Sequence, residues 1–168
     1  MPSAPARLNA VSDLDRAARD FGALGFTLTP RGRHSIGSEN HCIMFASTYL
    51  ELLWPGKPHP WLEHYRAFLE QGEGLAGLAY KMHEPEGAYM DLSRPVEGGL
   101  ARFRLTQLEP SLFLVQHLTP ELVWRREWQS HANGAAELAA VEWGRPAILR
   151  IRGLKTQTEA HGVRLLPA

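Results

Sequence analysis

The sequence predicts an α+β fold built from one supersecondary unit used twice. YLELLWP at 49–55 aligns without a gap to LVQHLTP at 114–120, so that Leu50 matches Val115, Glu51 matches Gln116, Leu53 matches Leu118 and Pro55 matches Pro120. The first of these stretches closes a series that reads strand, helix, strand, strand, strand. About 65 residues further on, a second series reads strand, broken helix, strand, strand.

The elements follow in order. ARLNAV at 6–11 is a short strand. Ser12 is a good helix N-cap, with Asp13 and Asp15 placed to suit the positive end of the helix dipole. Leu14, Ala17, Ala18 and Phe21 recur at helical spacing, and Gly22 and Gly25 offer stops. FTLTP at 26–30 reads as a strand, and RGRHSIGSEN at 31–40 as a turn-rich loop. HCIMFA at 41–46 and TYLELL at 48–53 are joined tightly enough for a hairpin. WPGKPHP at 54–60 is a rigid connection, because three prolines restrict its backbone. WLEHYRAFLEQG at 61–72 puts Trp61, Leu62, Tyr65, Phe68 and Leu69 on one helical face. GLAGLAYKM at 74–82 is a strand, and Pro85, Gly87 and Pro95 break the helix expected after it. LARFRLTQL at 100–108 alternates as an amphipathic strand does, and SLFLVQHL at 111–118 follows as another. ELVWRREWQSHANGAAELAAVEW reads as a loop followed by a strand or helix, and AILRIRGL (147–154) and GVRLLPA (162–168) as strands. The expected organisation is a first module at 1–55, a linker and helix at 56–73, and a shortened second module with C-terminal strands at 74–168.

Composition narrows the function classes. Eighteen basic residues balance eighteen acidic ones, so no global field gathers nucleic acid or anionic lipid. No apolar run approaches the roughly 18–20 residues needed to span a bilayer, and MPSAPARLNAV has no apolar secretory core. A single cysteine, Cys42, excludes an internal disulfide and fits a reducing cytoplasm. Its apolar flanks make it a structural thiol rather than a nucleophile. There is no P-loop, no dinucleotide fingerprint after a strand and no nucleophile elbow.

VSDLDRAARDFGALGFTLTPRGRH, the segment from GSEN to YLELL, GLAGLAYK, and FLVQHLTPELVW followed by HANGAAEL cover about two thirds of the chain. In these stretches the sequence resembles the glyoxalase-like group of the vicinal oxygen chelate superfamily. The resemblance implies paired βαβββ modules whose curled mixed sheets enclose a cleft, here with the second module abbreviated. It also implies that the cleft holds a divalent metal (Zn, Mn, Fe or Mg), with ligands on the first and fourth strands of each module. Glu51 and Gln116 fall on the fourth strands and are the implied metal ligands. The first-strand stretches, Ala6 to Leu8 and GLAGLAYK, carry no His, Asp or Glu. An incomplete ligand set, or none, is therefore equally in view.

Glu51 is the first candidate for chemistry, because an unpartnered carboxylate among apolar strand residues costs several kcal/mol. It shares a strand face with Tyr49 and Leu53. It is a cleft ligand or general base, or else a partner for one of the arginines. His34 is the second catalytic candidate, since a neutral imidazole ligates metal or moves protons near pH 7, and the resemblance puts its loop at the cleft mouth with Asn40. Gln116 and His117 point to opposite strand faces, and Gln116 is chosen for the cleft because it aligns with Glu51. His131 and Asn133, in SHANGA, are candidate ligand-binding residues, although Asn-Gly also suits a turn. Trp124 and Trp128 can line an apolar pocket with Arg125 gripping a carboxylate, or serve as core or dimer anchors.

Two functions from different classes follow. One is a metal-dependent lyase, isomerase or dioxygenase acting on a small molecule. The other is a non-catalytic small-ligand-binding protein of the same fold. A homodimer is expected in either case, without nucleic-acid or membrane partners.

Overall fold

The computed structural model describes residues 5–85 and 87–168. The first module comprises β1 (Ala6–Ala10), α1 (Leu14–Ala23), β2 (Gly32–Arg33), β3 (Glu39–Met44) and β4 (Tyr49–Trp54). A 3-10 turn at Pro60–Leu62 leads into α2 (Glu63–Leu69). The second module then adds β5 (Gly74–Lys81), β6 (Met90–Val96), β7 (Gly99–Glu109) and β8 (Leu112–His117). Four further strands end the chain: β9 (Glu137–Glu142), β10 (Ala147–Arg152), β11 (Thr158–Ala160) and β12 (Val163–Pro167).

Each module orders its strands in the same way. Parallel pairing of β1 with β4 and of β5 with β8 gives 2-3-4-1 and 5-8-7-6, and antiparallel pairing of β1 with β5 fuses them into one eight-stranded sheet, 2-3-4-1-5-8-7-6. The sheet curls until its two edges nearly meet. There the Ser35 amide donates to the Ser93 carbonyl at 2.8 Å, and the Ser93 amide donates to Ser35 Oγ at 3.2 Å. The α+β fold of paired, curled modules expected from the sequence is what the chain adopts.

Alternation divides the sheet into two faces. Ala6, Leu8 and Ala10 of β1, Cys42 and Met44 of β3, Tyr49 and Leu53 of β4, Phe103 and Leu105 of β7 and Val115 of β8 form the inner apolar cluster. Ile43, Leu50 and Leu52 face outward, against Leu14, Ala17 and Phe21 of α1. The C-terminal sheet, ordered 11-12-10-9, lays Leu138, Leu149, Ile151, Val163 and Leu165 on that same outer layer. A polar clamp fixes it. His161, buried against Phe21, meets Glu73 at 2.6 Å and Asp20 at 2.8 Å. Asn9 Nδ2 donates to the His161 carbonyl at 3.0 Å. The adjoining Gly162 has φ +77°, and a Cβ there would lie 1.9 Å from the Glu73 carbonyl, so only glycine closes this turn.

Three local expectations are corrected. Asp13, not Ser12, caps α1, its carboxylate accepting from the Arg16 amide at 2.9 Å. Ser12 donates instead, through its amide and hydroxyl, to Glu73 at 2.8 Å each. FTLTP is not a strand, because Thr27 bonds His131 and the Ser130 carbonyl, and only Thr29 bridges to Cys42 of β3. Part of the stretch read as a broken helix is strand β6, held by a seven-residue antiparallel register with β7 that local propensity does not reveal.

Leu149 is fully buried between the C-terminal sheet and the first module. Leu149→Ala is expected to cost about 2–5 kcal/mol in urea unfolding. A loss below about 1 kcal/mol would contradict the packing of this sheet on the outer layer.

Candidate functional site

The two modules enclose a narrow cavity of about 70 Å³, bounded on one side by β1, β3, β4 and α2 and on the other by β6, β7 and β8. Leu8, Trp61, Leu92, Phe103, Phe113 and Val115 give it apolar walls. Its polar groups include His34, Ser38, Asn40, Tyr49, Glu51, Tyr65, Arg94 and Gln107. Strand alternation delivers them: Asn40 and Glu51 sit on inward positions of β3 and β4, and Arg94 on an inward position of β6.

Glu51 is buried and accepts a hydrogen bond from Asn40 Nδ2 at 2.9 Å. His34 Nε2 stands 3.9 Å from Glu51 Oε1, while His34 Nδ1 shares a 2.8 Å hydrogen bond with Ser38 Oγ. Burial raises the Glu51 pKa above its ordinary value, and the Asn40 hydrogen bond and the Arg94 charge oppose the rise. Burial, helped by the Arg94 charge, drives His34 down to about 3, so its ring is neutral at pH 7. The Cys42 thiol is pushed up to about 12 by burial and by Glu51, which suits a structural thiol and not a nucleophile. Gly32 keeps this floor open: a Cβ there would lie 2.3 Å from Asn40 Oδ1 and 3.1 Å from Arg94 Nη1.

Of the residues singled out from the sequence, Glu51, His34, Asn40 and Tyr49 meet in the cavity. The others do not. Gln116 points out of it and donates to the His83 carbonyl. The inward residues of β8 are Phe113, Val115 and His117; His117 packs edge-on against Phe103 with ring centroids 5.3 Å apart. The expected pairing of Glu51 with Gln116 is thus overturned by one residue of strand register, which exchanges every side chain between faces. Trp124 backs the Tyr49 ring at 5.6 Å and borders a separate hollow with Lys81 and Ser47. Arg125 stacks on Trp128, 5.1 Å from its ring centroid, and donates to the Glu97 carbonyl. His131 is a structural pin: its Nδ1 accepts from the Thr27 amide at 3.0 Å and its Nε2 donates to the Met44 carbonyl at 2.8 Å. Asn133 is another, donating to the Leu24 carbonyl and accepting from the Ala135 amide, both at 3.0 Å.

Sequence reasoning missed Arg94, Tyr65, Ser38 and the aromatic walls. A signal existed for Tyr65 and Trp61, which share the apolar face of α2 and its leading turn. None existed for Arg94, in a stretch broken by proline.

Comparison with known families bears on this architecture. Residues 8–152 match the family of glyoxalase-like domains, so the chain belongs to that family, part of the vicinal oxygen chelate superfamily. No curated protein and no solved structure matches the chain.

The donor set does not fit the divalent metal implied by the superfamily. A catalytic ion of this kind normally takes three or more protein N or O ligands. The inward residues of the first strand, Ala6, Leu8 and Ala10, offer none, nor do Ala76 and Ala79 of β5. Glu51 and His34 supply two donors, and Arg94 brings a cation to the same space. Among the described residues no group of three or more His, Cys, Asp or Glu side chains is placed to hold an ion.

His34 yields a pH prediction. Its folded pKa lies below the unfolded 6.5, so its contribution to stability is present above pH 6.5 and is lost as pH falls towards about 3. Across that window wild-type stability should drop more steeply than that of His34→Gln, by up to about 1.4 kcal/mol per pH unit. Parallel pH profiles from urea titrations would contradict a buried neutral imidazole.

Proposed function

We propose that this protein binds a small organic molecule in the cavity between its two modules, with Glu51 as the central polar anchor. One observation carries the reading. A buried carboxyl accepts a single protein hydrogen bond, from Asn40, and stands in a cavity walled by Trp61, Phe103 and Phe113. Apolar walls with a few convergent polar groups and a perturbed carboxyl are the usual marks of a small-molecule site. The raised pKa of Glu51 also brings proton exchange with a bound molecule closer to neutral pH, which is what general acid–base catalysis needs.

The second reading is divalent-metal-dependent lyase, isomerase or dioxygenase chemistry. It is favoured by the approach of His34 Nε2 to Glu51 Oε1 at 3.9 Å, which sets two metal-competent donors side by side. It requires a third donor from outside the present set.

A thermal-shift screen tests both readings. A ligand at 100 times its Kd stabilises the folded state by about 2.7 kcal/mol, so a fitting compound raises Tm measurably. At least one small aromatic or acyl compound should do so without added metal, with a smaller shift in Glu51→Gln. No response from either protein, with or without Mg²⁺, Mn²⁺ or Zn²⁺, would contradict the proposed function. A response only with a metal present would favour the second reading.

A further inference from the structure

We propose that the molecule bound in this cavity is a monocarboxylate with an apolar or aromatic body, and that Arg94 grips its carboxylate. The inference rests on the small-molecule reading above and goes further by naming the ligand's charge and the residue that recognises it.

Arg94 is only 4% exposed, although it carries a permanent charge. Among the described residues no carboxylate oxygen comes within 4.0 Å of its guanidinium nitrogens; Glu51 faces His34 and Asn40 instead. A buried guanidinium without an anionic partner is costly and therefore rare in proteins. Its Cζ lies 5.9 Å from the centroid of the Phe103 ring, a contact that steadies the side chain and leaves N–H groups for an incoming anion. Two buried polar atoms of the cavity residues have no hydrogen-bond partner: Tyr65 Oη, a donor suited to a carboxylate, and Asn40 Oδ1, an acceptor suited to a hydroxyl or amide N–H. Unsatisfied buried groups are uncommon, and three polar residues converging on one cavity indicate a missing partner.

Charge and shape set the class of anion. Among the described residues Arg94 is the single Lys or Arg lining the cavity, and His34 is held neutral. One cation balances one negative charge, which fits a carboxylate better than a phosphate dianion. The planar guanidinium also matches a carboxylate through two parallel N–H···O bonds. Leu8, Trp61 and Phe113 provide apolar surface in the same cavity for the body of the molecule.

Two matched probe pairs test this, benzoate with benzamide and propionate with propionamide, by calorimetric titration of the full chain. Wild type should bind at least one carboxylate ten or more times more tightly than its amide. Arg94→Gln should abolish that preference and leave amide binding unchanged, and Arg94→Lys, which keeps the charge but not the fork, should restore part of it. In the absence of ligand, Arg94→Gln should unfold at a Tm equal to or above that of wild type, because a buried cation without an anion is removed. Equal binding of acid and amide by wild type, or an undiminished preference in Arg94→Gln, would overturn the inference while sparing the small-molecule reading. A clearly lower Tm for Arg94→Gln would make Arg94 structural and also overturn it. Failure of all four probes to bind overturns it and counts against the broader reading as well.

Discussion

The antiparallel pairing of β1 with β5 is the constraint from which the rest of the molecule follows. It joins Ala6 to Ala79, Leu8 to Gly77 and Ala10 to Gly74, and so turns two four-stranded modules into one curling sheet. Apart from Leu8, the residues on the inner side of this seam, Ala6, Ala10, Ala76 and Ala79, are small. Small side chains at the centre of a curled sheet leave a hollow where larger ones would fill the core. Tyr65 leans into part of that space, close enough that a Cβ on Gly77 would lie 2.6 Å from its hydroxyl. Ala6, Leu8 and Ala10 are the inward residues of the first strand, and none of them carries a metal-ligating side chain.

Burial then decides the electrostatics of the hollow. It pushes Glu51, Cys42, Tyr49 and Tyr65 towards their protonated forms and His34 towards its neutral form. The Arg94 guanidinium brings a positive charge to the same space. The cavity therefore sets one fixed positive charge among groups inclined to neutrality. Glu51 comes from the first module and Arg94 from the second, so their meeting depends on the seam.

Much of this was legible in the sequence. The repeat of strand, helix and strands, the hairpin carrying Glu51, and the common face of Tyr49, Glu51 and Leu53 all follow from side-chain periodicity and are present in the fold. What failed has specific physical causes. The gap-free match of Glu51 to Gln116 compares residues along the chain, but a strand face is set by pairing register, which sets Val115 beside inward Leu105 and Gln116 beside Arg104. Strand β6, and Arg94 with it, was hidden because Pro95 and the absence of period-two alternation mask a strand held by its long pairing with β7. Trp124, Arg125 and Trp128 have the composition of a binding motif. Their geometry is that of a buttress behind Tyr49 and a cap over the Glu97 carbonyl.

The claim that two modules bring one carboxyl and one guanidinium into a shared cavity is tested most directly by titrating Glu51. Carbon-detected NMR of its side-chain carboxyl, assigned through Glu51→Gln, gives the midpoint in wild type and in Arg94→Gln. The account predicts a wild-type midpoint above 4.5 that climbs further once the Arg94 charge is gone. A midpoint at or below 4.5, or one indifferent to the loss of Arg94, would contradict it.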